Sequence, residues 1–126
     1  MIRGTTAQFK FKLPYKFSEL NPIKIVFWQP GNNDRYLPIE KTETHCSQSD
    51  DDEYCLCVSL DPKETMRFSD KLKARVQLRA YHNGAAFASR QQLITVYPIN
   101  DEVIDTELPE PDGEGWVILD GENITG

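Results

Sequence analysis

Histidine is scarce in this chain, with two in 126 residues, and the three cysteines sit close together at Cys46, Cys55 and Cys57. That leaves little material for a zinc site or a Cys-His dyad, and no pair of ligands has metal-site spacing. Glycine is sparse as well, seven in all, and never gathers into a phosphate-cradling loop. No apolar run approaches the length that spans a membrane. Met1-Ile2-Arg3-Gly4 passes at once into polar residues, so no secretory leader is expected and the thiols are read as reduced. Asn123-Ile124-Thr125, formally a glycosylation acceptor, is then a chance match. Lys and Arg are missing altogether from residues 98–126, which carry nine acidic side chains.

That last absence divides the chain. The formal net charge is −6, from 14 basic and 20 acidic residues, yet residues 1–97 hold all 14 bases against 11 acids, a net of +3. A weakly basic body is followed by an acidic tail, and the acidity of the whole argues against non-specific nucleic-acid binding. The expected organisation is a domain over 1–98, an acidic linker over 99–115 interrupted by Pro109 and Pro111, and an apolar docking segment over 116–126. Composition predicts an extended linker. The docking segment opens with Trp116, Val117, Ile118 and Leu119. It reads either as a last strand folded onto its own sheet or as a strand added to a neighbour's open edge.

Within the body, strict alternation dominates. Phe9, Phe11 and Leu13 alternate with Gln8, Lys10 and Lys12, the pattern of a half-buried strand. Residues 13–22 read as a loop punctuated by Pro14 and Pro22, and 23–29 as a strand apolar on both faces except at Lys24, hence either central or covered by a partner. Residues 36–46 predict one broken or two short strands, with Pro38 favouring an edge. The acidic run 47–53 reads as a solvated loop without the spaced ligands of a calcium site. In 54–60, Tyr54, Leu56, Val58 and Leu60 are expected inward. Cys55 and Cys57 then share the other face, poorly placed to pair with each other, and a Cys46–Cys55 bridge would need oxidising conditions.

Asp61-Pro62-Lys63-Glu64 combines an N-cap, a first-turn proline and a capping-box glutamate, predicting a short helical crossover. Met66 and Phe68 are expected to close the core beneath it. Ala74, Val76, Leu78 and Ala80 alternate with Lys73, Arg75, Gln77 and Arg79 before the hairpin signal Asn83-Gly84. The return strand to Pro98 is long enough to need a bulge. Lys73, Arg75 and Arg79, with Arg90 as a further member, should form a basic stripe on the outer face, read first as a solvated sheet face and otherwise as a surface for an acidic segment or partner, with nucleic acid last. Trp28, Tyr36, Tyr54 and Tyr81 are expected mostly in the core, with a sugar-stacking platform as the alternative.

Strands with turns at about ten-residue spacing and one helical crossover predict an all-β fold, an immunoglobulin-like β-sandwich, with a small Greek-key barrel as the alternative. No catalytic residue, metal site or cofactor motif is indicated, and the chain is read as non-enzymatic.

The opening MIRGTTAQFKFKLP resembles that of a family of small structural proteins of tailed phages and prophages of Gram-positive bacteria. These begin with Met-Ile-Arg-Gly-Thr-Thr and an alternating strand ending in Leu-Pro. The likeness continues through Ile23–Gln29, LDPKETMRFSD at 60–70, and ARVQLR followed by Ala88-Ser89. The SQSDDDEY stretch and the acidic tail depart from it. The resemblance implies a virion-located tail, baseplate or neck component with an immunoglobulin-like fold, made in the bacterial cytoplasm and present in several copies, as a homo-oligomer or ring. Other virion subunits would be its partners, with no membrane or nucleic acid. Arg3 and Gly4 could add a second contact to the one made by 116–119. The alternatives are a module binding a host-surface glycan through its aromatics, and a small inhibitor of a host defence protein.

Overall fold

The structure, a computed structural model, describes residues 1–98 and 116–120. The expected linker 99–115 and the end of the docking segment, 121–126, lie outside the described residues.

Two sheets face each other. The first contains β1 (Ala7–Lys12), β4 (Ser47–Ser49), β5 (Asp52–Leu60) and β9 (Trp116–Asp120), in the order β4-β5-β1-β9. The second contains β2 (Leu20–Trp28), β3 (Ile39–Thr42), β6 (Ala74–His82), β7 (Ala85–Ala88) and β8 (Gln92–Ile94), in the order β3-β2-β6-β7, with β8 also on β6. The described strands thus form an all-β sandwich of two separate sheets and no barrel.

Alternation explains the packing. Phe9 and Phe11 from β1 and Leu56, Val58 and Leu60 from β5 point between the sheets, and all are at most 3% exposed. Ile23, Ile25 and Phe27 from β2 and Ala74, Val76, Leu78 and Ala80 from β6 meet them from the other side. The Phe9 and Phe27 rings touch across the gap, centroids 5.1 Å apart. Each large side chain buried in this way contributes roughly 1.5–3 kcal/mol. The central place expected for β2 is observed, between β3 and β6, and β3 follows Pro38 at the sheet's edge.

The turn chemistry is equally direct. Asp61 accepts a hydrogen bond from the Glu64 backbone N–H at 2.8 Å, and the Glu64 carboxylate accepts from Asp61 N–H at 2.9 Å. This capping box starts α1 (Pro62–Thr65), which carries the chain from the first sheet to the second. Asn83 (φ 51°) and Gly84 (φ 82°) form the two-residue turn between β6 and β7, with His82 opposite Ala85. The return strand is interrupted as expected. Ser89, fully buried, donates its backbone N–H to Leu78 O at 2.9 Å and accepts the Leu78 N–H on Oγ at 3.0 Å. The side chain serves as a ladder partner in the break between β7 and β8, where a bulge was expected.

Several expectations need correction. Residues 47–53 are not simply a loop, because Ser47–Ser49 pairs with β5 as a hairpin and only the tip remains to turn. Pro22 lies inside β2, at the irregularity between Leu20 and Ile23. Tyr54 does not face inward: it is 43% exposed, one residue past the Lys12–Cys55 pair that ends the β1–β5 register. Met66 is 46% exposed while Phe68 is buried, so Phe68 alone closes the core below α1.

Candidate functional site

Three surfaces gather the residues that sequence reasoning selected. The first is the far edge of the four-stranded sheet. There β9 runs parallel to β1, placing Trp116 beside Gln8, Val117 beside Phe9, Ile118 beside Lys10, Leu119 beside Phe11 and Asp120 beside Lys12. Leu119 is 5% exposed and belongs to the core, and Ile118 is half-buried. In the isolated chain the segment expected to dock is therefore the edge strand of its own sheet. A parallel pairing needs a long excursion between its two strands, and here the whole sandwich and the 17 residues between Pro98 and Trp116 separate Lys12 from Trp116.

The second surface is the outer face of the five-stranded sheet. Register rows cross it: Thr42, Lys24, Arg79 and Ala88 in one, and Tyr81 beside Ala86 in the next. Small alanines beside long side chains leave an open groove of about 770 Å³, also bordered by Pro22, Glu40 and Glu43. Arg79 is exposed within it, and Lys24 is paired with Glu40 at 3.2 Å. Two cations and two carboxylates border the groove, so its rim is locally balanced.

The basic stripe is only partly assembled. Arg75 and Arg79 both project from β6, whereas Lys73 precedes the strand and is exposed in the connection. Between the arginines stands Gln77, which donates to Ser89 O at 2.9 Å. Arg75 sits beside Trp28 and Leu93 and donates to the Gln91 side-chain oxygen at 3.4 Å. The two arginines therefore have different surroundings, one in an aromatic and aliphatic row, the other in the groove.

The expectation that most of the four aromatics pack in the core does not hold. Tyr36, Tyr54 and Tyr81 are 52%, 43% and 46% exposed, and Trp28 is half-buried. Alternation cannot distinguish the two faces of a strand when both carry large side chains. Arg35 and Arg67 lie over the Tyr36 ring at 4.8 and 4.9 Å, so this ring is held on the surface by cations.

The third region is the N-terminal block. Ile2 bridges Tyr97 in parallel, and Arg3 N–H donates to Tyr97 O at 3.0 Å. The Arg3 guanidinium donates to Met66 O at 3.2 Å. Gly4 N–H donates to Thr65 Oγ1 at 3.0 Å, and that hydroxyl lies 2.8 Å from Thr5 O. Residues 1–5 thus lace the end of α1 to the end of the body.

Among the described residues no three His, Cys, Asp or Glu side chains converge as a metal-ligand set. Their helices include none long and apolar enough to cross a membrane. His45 accepts the Thr42 N–H within a small capping box. His82 stacks on Tyr15 with centroids 3.8 Å apart and lies 3.2 Å from Glu19. The three cysteines are free thiols. Burial pushes Cys46 up to about 12 and Cys55 to about 11, and raises Cys57, far from the thiolate range of a nucleophile.

Gln29 escaped sequence reading. Its side chain is 4% exposed and donates to Ser69 O and Leu72 O, both at 2.7 Å. Its oxygen accepts from Ser69 N–H at 2.7 Å and from the Asn32 side chain at 2.6 Å. A glutamine ending an apolar run was the only available signal. No family model matches the chain, and no curated protein matches it.

Proposed function

We propose that this chain is a non-enzymatic structural protein of a phage virion, a tail, baseplate or neck component acting by multicopy protein–protein assembly. The sandwich is read as immunoglobulin-like. One observation carries the reading: an apolar segment, set 17 residues beyond the body, serves as an edge strand on β1. Strand addition of this kind is a general device for joining subunits, because backbone hydrogen bonds give affinity and alternate side chains give register. The MIRGTT opening and the alternating body strands point to the phage context by resemblance. Mass spectrometry of purified virions from a lysogen carrying the gene tests the proposal. Stoichiometric presence is expected, and absence from the particle would overturn it.

One observation favours a second reading, a module binding a host-surface glycan. Tyr81 is 46% exposed and borders a groove that also offers Arg79, Lys24 and Glu40 as hydrogen-bonding groups. Trp28 lies in a different row, beside Arg75, so the two aromatics do not form one platform. Cell-wall binding that disappears in Tyr81→Ala and survives in Trp28→Ala would move the assignment to this reading.

A further inference from the structure

Among the described strands, β9 is the one joined to the body by the longest connection, and it pairs along one side only, with β1. Its described core anchor is Leu119, the register partner of Phe11 and a member of the same buried cluster. Leaving this place breaks one ladder and one apolar contact set. Entering the identical place on a second copy restores both. The contacts made on β1 therefore do not discriminate between a chain's own strand and a neighbour's, and concentration decides.

The connection is long enough for either. Seventeen residues span at most about 60 Å, against roughly 35 Å across a body of this size. Its composition suits a route over a second body, since residues 99–115 carry seven acids and no base while residues 1–97 have a net charge of +3. A short linker fixes the effective concentration of a cis strand near the millimolar range. Dilute protein should then close on itself, and copies held side by side should exchange.

We infer that β9 is an exchangeable strand, and that neighbouring copies of this chain complete each other's four-stranded sheet in the register Gln8–Trp116 to Lys12–Asp120. The inference deepens the assembly reading by naming the partner, a second copy, and rests on that reading only for where copies meet.

The test uses the full chain. Lys12 is exposed and Asp120 is its register partner. Adjacent strands run about 4.8 Å apart, within reach of a disulfide. Both proteins carry Cys55→Ser, because Cys55 is the β5 register partner of Lys12 and would compete for a thiol placed there. Protein carrying Lys12→Cys is then mixed with protein carrying Asp120→Cys, and neither alone can form this bond within one chain. The native thiols are followed by peptide mapping. The exchange predicts a mixed disulfide dimer that accumulates at least tenfold faster than in a control pairing Asp120→Cys with Lys63→Cys on α1. Its rate should rise as the protein approaches millimolar concentration. Mixed dimers at the control rate, while the Lys12→Cys/Asp120→Cys double variant cross-links within one chain, would overturn the inference. A predominance of Asp120→Cys homodimers would also overturn it, because it would mean two β9 edges pairing with each other. Either failure leaves virion incorporation untouched, and absence from virions leaves the cross-linking result standing.

Discussion

Leu119 lies beside Phe11 in a parallel register, and both side chains are buried in one core. The sequence separation between them is filled by the whole sandwich and by the acidic stretch 99–115. A residue near the end of the chain therefore completes a sheet that begins at Ala7, and the tail end is part of the fold rather than an appendage to it. Whatever displaces Leu119 exposes an edge of β1 and the Phe11 side of the core together.

Leu119→Ala should accordingly cost about 2–3 kcal/mol, the lower part of the range for core leucines, because an edge strand relaxes more freely than a central one. Leu93→Ala, at a side chain 58% exposed, should stay within about 0.5 kcal/mol. Urea denaturation gives both values. Hydrogen exchange adds a local signature: the β1 amides should lose protection in Leu119→Ala while those of β6, between β2 and β7, keep theirs.

Gln29 makes a different prediction. Both its amide hydrogens and both directions of its oxygen are used, so the site is saturated by the backbone of Ser69, Leu72 and the Asn32 side chain. Gln29→Leu preserves volume but strands Ser69 N–H and two carbonyls in a site nearly closed to water. The expected loss is about 3 kcal/mol, a fall in Tm of roughly 10–20 °C by calorimetry. An unchanged Tm would show that water replaces the amide.

The Lys41–Glu64 pair gives a third. The ammonium lies 2.8 Å from the carboxylate, with side chains 13% and 15% exposed, and the same carboxylate accepts the Asp61 N–H in the capping box of α1. Glu64→Ala removes the carboxylate's half of the capping box, while Asp61 still accepts the backbone N–H of residue 64, and leaves Lys41 partly buried without its partner, so about 2–3 kcal/mol should be lost. Lys24→Ala breaks a pair whose side chains are about half exposed and should cost under about 1 kcal/mol. Comparing the two in the same denaturant series separates the enclosed pair from the solvated one.

What the sequence discloses follows from how local the physics is. The capping box at Asp61–Glu64, the Asn83-Gly84 turn and the inward set Ala74, Val76, Leu78 and Ala80 each depend on neighbours within a few residues. The structure realises each of them. Tyr54 fails because burial at the end of a strand depends on what the facing element covers, which period-two alternation does not encode, and Met66 fails because a single helical turn has no period from which its buried side can be read. The groove beneath Tyr81 was hidden for a similar reason. It exists because Ala86 and Ala88 lie across the sheet from Lys24 and Arg79, a juxtaposition made by strand order. The C-terminal apolar run was visible as a strand, but its parallel partner β1 was not, since nothing local specifies a pairing across more than a hundred residues.

Two carboxylates are expected to contribute to the acid limb of stability. Glu43 is held below its ordinary value chiefly by backbone N–H groups, its own and that of Ile23, which it receives at 3.2 Å. Asp51 is lowered first by the Ser49 hydroxyl. Groups with depressed folded values add stability that is present above their unfolded range and is lost as pH falls through the folded value. Tm should therefore be flat at neutral pH and decline below about pH 4.5, from the ordinary glutamate value of 4.5 downward. Glu43→Gln should shallow that decline and lower the neutral plateau. A parallel curve would assign the acid limb to other groups.

The thiols carry the last prediction. Cys55 and Cys57 face away from the main core yet are only 4% and 8% exposed, and Cys46 donates to Thr42 O at 3.3 Å. Burial raises all three, Cys46 to about 12 and Cys55 to about 11, so thiolate is scarce at pH 8. The thiolate is the reacting species, and low access compounds its scarcity. Native protein should therefore react with a disulfide reagent at well under one thiol per chain over minutes, and release all three at once in denaturant. Lys10 is the Cα partner of Cys57 and lowers its value, opposing burial. Lys10→Met should then slow Cys57 labelling further, measured by peptide mass. Faster labelling in that variant would mean that Lys10 acts as a cover over the thiol more than as a charge beside it.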